Sequence, residues 1–279
     1  MRLLCGSALA STFLASGLVG AAPADAQIVR IAEPNSVTVT NWGVQVGFDE
    51  VSETVDDRGG VVMAGVLAGY VRSDVDFNDD DGEARFSGYN IGGYMTYVTG
   101  NFFTDILVKA DILDLDYANG GIERDNDNVR SYGARIDTGY RANLGGFFLE
   151  PQATLDYVYT EMEDLEVSGA TVGMSDGRTL RGRLGLRAGT SFDTGGTRIE
   201  ASIMPSVWHY LHSESAVAIT GAGETVRIDD PRNKTYGEVS GIVNVFGASD
   251  RTSAFLKADY RFGDDLKGYG LRAGLRFQF

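Results

Sequence analysis

The last thirteen residues, KGYGLRAGLRFQF (267–279), decide the fold. Taken in twos, they place Tyr269, Leu271, Ala273, Leu275, Phe277 and Phe279 on one face and Gly270, Arg272, Gly274, Arg276 and Gln278 on the other. Successive side chains of a strand point to opposite sides, so this segment has one purely apolar face and one polar, glycine-rich face. A wall with lipid on one side and a wet lumen on the other asks for that pattern. A chain ending on such a strand, with Phe as its last residue, predicts an all-β fold. The expected form is a transmembrane antiparallel up-and-down β-barrel of the bacterial outer membrane, closed by its C-terminal strand.

The same two-residue alternation recurs upstream. In 129–142, Tyr132, Ala134, Ile136, Thr138 and Tyr140 oppose Ser131, Gly133, Arg135, Asp137, Gly139 and Arg141. In 148–159, Leu149, Ala153, Leu155, Tyr157 and Tyr159 oppose Glu150, Gln152, Thr154 and Asp156. In 180–192, Leu184, Leu186, Ala188 and Phe192 oppose Arg181, Arg183, Arg187 and Ser191, and Leu256, Ala258, Tyr260 and Phe262 oppose Lys257, Asp259 and Arg261. A soluble sandwich shows the same period. Strand length, the aromatic terminus and an export signal favour the barrel, since sandwich strands usually run to about 5–6 residues.

The export signal consists of Arg2, an apolar run over 3–19 and small residues ending at Ala24-Asp25-Ala26, with cleavage expected ahead of Gln27. The single cysteine, Cys5, lies inside this segment, so the mature chain has no disulfide and no thiol nucleophile. Leu3-Leu4-Cys5 has no apolar h-region ahead of it to make the signal of a lipoprotein. Beyond residue 27 no apolar run approaches the roughly 20 residues a spanning helix needs. The expected organisation is therefore 1–26 signal peptide, 27–40 a short N-terminal segment and 41–279 barrel. With 37 glycines, 13 tyrosines and 14 phenylalanines the composition suits strands and turns. A formal charge of −15 argues against nucleic acid, whose phosphates would repel it.

Connections sort into two lengths. Tight turns are expected at 99–101, 143–146, 193–196 and 247–250, with long acidic loops around 74–83, 118–128, 161–177 and 213–234. Outer-membrane barrels place short turns in the periplasm and long loops outside. Eleven strands follow: 37–49, 59–72, 84–98, 102–116, 129–142, 147–160, 179–192, 197–211, 235–246, 252–262 and 267–279. An even number is the rule, so the twelfth is sought at 28–32, which is short for a full span. Pro151 and Pro205 lie inside strand patterns and are expected to mark strand ends or a bulge, because each removes a ladder donor.

From about Asn41 onward the chain resembles the β-barrel translocator domain of autotransporters, the type V secretion family. The resemblance is carried by GVLAGYVRSDVDF (65–77), GYNIGGYMTY (88–97), GARIDTGYRA with FFLEPQATLDYVY, RLGLRAG (183–189), YGEVSGIVNV (236–245) and GLRAGLRFQF. It implies a twelve-stranded barrel whose pore accommodates a helical linker and assists export of an N-terminal passenger. It also implies assembly by the outer-membrane barrel assembly machinery, with Phe277 and Phe279 in the terminal signal that the machinery reads. This sequence departs from the family in the 27–40 segment, which is too short for a passenger and contains Pro34. The expected protein is a passenger-less, monomeric barrel in contact with outer-membrane lipid and lipopolysaccharide. A small diffusion pore or a surface-loop adhesion protein is the alternative.

The lumen holds the only concentrated chemistry. Arg135, Arg141, Arg181, Arg183, Arg187, Lys257, Arg272 and Arg276 are expected to project inward with Asp137, Glu150, Asp156, Glu200, Glu238 and Asp259. Paired across strands, they would fill a narrow barrel or line a conduit. The acidic run 74–83 is no EF-hand, since Gly82 falls at loop position 7 and Ser87 stands where the bidentate Glu belongs. His209 and His212, three apart, fall on opposite faces of a regular strand and so share no metal. Trp42 and Trp208 are assigned to aromatic girdles. No Gly-x-Ser-x-Gly elbow or other nucleophile context is present, so neither catalysis nor a cofactor is expected.

Overall fold

The computed structural model describes residues 25–31, 37–52, 60–77, 82–119, 122–162, 165–167, 170–174, 177–214, 216–221, 224–229, 235–247, 252–264 and 266–277. Its strands are β1 (Asp25–Ile31), β2 (Val37–Ser52), β3 (Val61–Phe77), β4 (Gly82–Thr99), β5 (Phe102–Asn119), β6 (Ile122–Tyr140) and β7 (Ala142–Leu144). There follow β8 (Phe147–Met162), β9 (Leu165–Val167), β10 (Ala170–Met174), β11 (Gly177–Thr194), β12 (Thr197–Glu214), β13 (Ala216–Gly221) and β14 (Glu224–Asp229). The chain ends with β15 (Thr235–Phe246), β16 (Thr252–Phe262) and β17 (Leu266–Phe277).

Twelve of these strands pair in an antiparallel ring. β1 joins β2 on one side and β17 on the other, and β8 joins β6 and β11, so the order returns on itself. The eleven strands legible in the sequence are all present, and β1 is the short twelfth. The predicted cleavage point, after Ala26, falls inside β1, where Ala26 pairs with Leu271. The rest of the predicted signal lies outside the described residues.

The two faces of the ring follow the two-residue alternation. On β17 the outward Leu275 is 72% exposed while the inward Arg272 is 3% exposed, which orients the strand opposite to a soluble protein's surface. Aromatic residues collect at both margins of the outer apolar belt. Trp42, Tyr70 and Tyr89 touch in series at 5.8 and 5.5 Å between ring centroids. At the same level Tyr132 stacks on Tyr159, and Tyr260 packs against Tyr269. Phe102, Tyr140, Phe147, Phe192 and Phe277 mark the opposite margin. Tyr132 and Tyr140 bracket the belt on β6; at about 3.4 Å per residue and a tilt of about 40°, their separation spans roughly 20 Å, close to the apolar height of such barrels.

At one end the connections are tight. Gly100, Gly145, Gly195 and Gly196 have φ of 57°, 76°, 56° and 81°, the left-handed region where a Cβ is costly. At the other end the structure departs from the sequence reading. Two of the expected long loops are mostly strand: β3 runs to Phe77 and β4 begins at Gly82, and Asn119 pairs with Ile122 across a hairpin. The acidic residues there alternate with inward apolar ones, as Asp74 and Asp76 do around the buried Val75, so they extend the pleat. The other two long connections contain β9, β10, β13 and β14, which form a separate four-stranded sheet through the β10–β13 pairing.

Both prolines sit where a ladder is interrupted, and both lie opposite Leu186. Pro151 pairs with Leu186 but faces the break between β6 and β7; there the Arg141 amide donates instead to the Asn101 carbonyl at 2.8 Å. Opposite Pro205 the β11–β12 pairing lapses between Gly185 and Ala188. Each proline has no N–H to give, so the neighbouring ladder loses a bond at that point.

The inner face is not uniformly polar, which corrects the expectation of a wholly wet lumen. On β2 to β6 it carries a buried cluster of Val39, Val71, Val75, Ala84, Phe86, Leu113, Leu115 and Val129. Nearer the tight turns lies a second cluster of Leu67, Phe103 and Leu107 with Tyr94 and Val98. The charges are concentrated on the wall from β6 round to β17.

Candidate functional site: the charged inner wall

Most inward charges on this wall meet an opposite charge on their own or a nearby strand, whereas Arg198 lies over the Phe246 ring at 4.3 Å. On β6, Arg135 Nε donates to Asp137 at 2.6 Å, and Arg183 of β11 reaches the same carboxylate at 2.9 Å. The Thr154 hydroxyl also donates to Asp137, and Arg183 Nε donates to that hydroxyl oxygen at 2.9 Å. Glu150 accepts from Arg141 at 2.6 Å, pairs with Arg187 at 2.8 Å and accepts from the Gln152 amide at 2.7 Å. Arg141 also reaches Glu200 at 2.9 Å, linking three strands' worth of charge.

Further round the wall, Arg181 pairs with Asp156 and lies 3.4 Å from the Tyr236 hydroxyl. Arg261 donates to Glu238 at 2.9 Å, while Asp259 takes Arg272 at 3.0 Å and Lys257 at 3.6 Å. Arg276 pairs with Asp49 of β2, a carboxylate that the Tyr94 hydroxyl also reaches at 2.7 Å. This last contact ties β17 to β2 across the line of the short β1. Buried ions need such partners, because desolvation of each costs several kcal/mol.

Trp208 belongs to this wall and not to a girdle. It is 1% exposed, stacks on Tyr236 at 6.1 Å, and has the guanidinium carbons of Arg181, Arg183 and Arg135 at 5.0, 5.3 and 5.8 Å from its ring. An indole face attracts cations through its quadrupole, so one side chain screens three like charges from one another. Phe148 receives Arg141 and Arg187 in the same way, at 4.0 and 5.6 Å. Trp42 is on the outer face, as expected for a girdle.

The structure thus brings together the predicted Arg135, Asp137, Glu150, Asp156, Arg181, Arg183, Arg187, Glu200, Glu238, Lys257, Asp259 and Arg272 as buried inward residues, with Arg141 and Arg276 partly exposed. Phe277 faces outward; Phe279 lies outside the described residues. Sequence reasoning missed Asp49, Asp105, Trp208 and Arg261 as members. Arg261 was visible on the polar face of its strand, whereas Asp105 stands in a run, FFTDILVKADILDLD, in which both faces are largely apolar. The histidine expectation also changes. A register shift between Leu180 and Arg181 leaves Leu211 without a partner in the ladder, so His212 pairs with Leu180 and His209 with Gly182, both on the outer face. His209 Nδ1 lies 2.7 Å from the Thr235 hydroxyl.

A closed ring of twelve antiparallel strands, with an outer apolar belt between aromatic margins and an ion-paired interior, defines a transmembrane β-barrel. Residues 32–259 match the autotransporter β-domain family, and the chain belongs to it. It is 28% identical over 205 residues to the pertactin autotransporter of Bordetella bronchiseptica, a match covering 68% of this chain and 21% of that protein. It is 30% identical over 248 residues to the BrkA autotransporter of Bordetella pertussis, covering 85% of this chain and 24% of that one. The chain therefore spans about a fifth to a quarter of the length of these relatives. In fold it is similar to the crystallised β domain of Bordetella BrkA, with TM-score 0.72, 22% identity, and 92% of this chain and 100% of that chain covered. It is also similar to the transport unit of AIDA-I from Escherichia coli, with TM-score 0.76, 17% identity, and 91% and 88% covered. The protein is an outer-membrane barrel of the type V secretion class.

Proposed function

We propose that this chain is a translocator-type barrel that works in the outer membrane in a structural or secretion-related role. The observation that carries the reading is the inner wall: nearly all of its charges are paired with side chains of the barrel itself, so the barrel holds its shape through its own strands. Such a lining is suited to meeting a polypeptide without collapsing onto it. The same reading has the chain act as a monomer in lipid and lipopolysaccharide. Insertion relies on the barrel assembly machinery through Phe277 and Phe279, and no catalysis is assigned to it.

The test is surface display. A foreign segment of about 100 residues, the size of a small domain, is inserted after Ala26 and followed by a second copy of Asp25-Ala26, which keeps both the cleavage triplet and β1 whole. Protease accessibility on intact cells is then measured beside the barrel's assembly. Surface exposure of the segment supports the translocator reading. A segment held in the periplasm beside a well-assembled barrel overturns it in favour of a stand-alone pore or structural protein.

A further inference from the structure

Asp105 lies on the inward face of β5 and is 1% exposed, and neither of its carboxylate oxygens has a hydrogen-bond partner. Its cross-strand neighbour on β4 is Thr96, whose buried hydroxyl has no partner other than this carboxylate within reach. Its neighbour on β6 is another carboxylate, Asp137. Asp137 and Glu150 add negative potential at Asp105, offset in part by Arg135. The cations of the wall are committed elsewhere: Arg135 and Arg183 to Asp137, Arg141 and Arg187 to Glu150. Around Asp105 the inner face is apolar, with Phe103 and Leu107 two residues away on the same side and Leu67, Tyr94 and Val98 packed against them.

An ionised carboxylate without a cation in such surroundings is strongly disfavoured, and a buried polar group of this kind calls for an explanation. Among the described residues no group of three metal-ligating side chains is arranged for a metal ion. A carboxylate and a hydroxyl ringed by hydrocarbon suit instead a compact cation on an apolar stem, whose N–H groups the oxygens accept while the stem packs on Phe103 and Leu107. We infer that Asp105 and Thr96 form a binding site for an alkylammonium or alkylguanidinium group within the lumen. Such a group is supplied either by a free amine or by a Lys or Arg side chain of a polypeptide in the lumen; only the second source rests on the translocator reading.

The experiment uses the purified, folded full-length barrel in detergent micelles, with its denaturation midpoint read against added n-butylammonium and against n-butanol as the uncharged control. Butylammonium raises the midpoint and butanol does not. Asp105→Asn weakens the response at least about tenfold, the loss of a charge-assisted hydrogen bond, while Asp105→Glu retains it. Equal effects of amine and alcohol on the natural barrel overturn the inference without any variant, so it stays decidable if Asp105→Asn fails to fold. An equal response in Asp105→Asn overturns it as well. A 20-residue peptide with one Lys, compared with its norleucine counterpart, separates the sources: a lysine-dependent gain assigns the site to polypeptide, and no gain assigns it to free amines. Amine binding with failed surface display overturns the translocator reading alone.

Discussion

Replacing Glu150 by Gln should be among the most destabilising single charge removals on the inner wall. Glu150 is 1% exposed and holds two guanidinium groups, Arg141 at 2.6 Å and Arg187 at 2.8 Å. In Glu150→Gln, Arg141 keeps Glu200 at 2.9 Å. Arg187, also 1% exposed, loses its carboxylate and already has an Nε without a hydrogen-bond partner. Leaving one buried charge uncompensated costs about 3–5 kcal/mol, or roughly two to three and a half decades in the folding constant. The double variant Glu150→Gln/Arg187→Met removes the orphaned charge as well and should recover most of that loss, ending within about 1 kcal/mol of the natural protein. The assay is equilibrium urea unfolding from lipid vesicles, followed by the fluorescence of Trp42 and Trp208 and by mobility in unheated SDS gels. As an internal control, Asp74→Asn breaks the half-exposed Arg72–Asp74–Arg85 cluster and should cost no more than about 1 kcal/mol. A Glu150→Gln loss no larger than the Asp74→Asn loss, or a double variant no better than the single, would refute the account of the wall as mutually compensated charge.

Four further outcomes are expected. Trp208→Ala should cost about 3–5 kcal/mol by the same assay, since it opens a cavity and removes the ring shared by three arginines; a cost under half that would deny Trp208 its central place. Leu184→Arg, at an outward position 71% exposed, should lose about 2–4 kcal/mol in vesicles if that face meets hydrocarbon, and a neutral result would place lipid elsewhere. Gly196→Ala, at φ 81°, should lose about 1–2 kcal/mol, whereas Gly146→Ala, with open space for the new methyl, should be nearly neutral. Arg276→Ala and Asp49→Ala should each cost roughly 1 kcal/mol and be non-additive when combined, because the pair is one contact; full additivity in a double-mutant cycle would show that the contact is not made.

What was legible in the sequence depended on contrast between the two faces of each strand. From β6 onward, arginines and carboxylates alternate with aliphatic residues, and both strand position and inward partners could be read off directly, as with Arg181, Arg183 and Arg187 on β11. On β2 to β5 the contrast fades, because the inner face carries Val39, Val71, Phe86 and Leu113 opposite a lipid face that is equally apolar. Asp105 was therefore not singled out. Trp208 was misassigned because an aromatic residue near a strand's end fits a girdle equally well; its neighbours on the same face, Ser206 and Met204, are buried. The extra residue at Leu211, which turns His212 outward, leaves no mark in composition. The prolines were read correctly as interruptions, since a missing N–H has the same effect whatever surrounds it.

β1 gives the wall an uneven hoop strength. From Gln27 onward its register runs over five residues against β17 and five against β2, whereas β2 meets β3 over sixteen. Tension around the circumference is carried by the interstrand bonds in series, so the stave with the fewest bonds sets the load at which the ring parts. Forced open, the barrel should unroll from β1 into a long curved sheet whose remaining ladders stay intact. Amide exchange should trace the same line, fastest along β1 and slowest in the long ladders of β3 to β6.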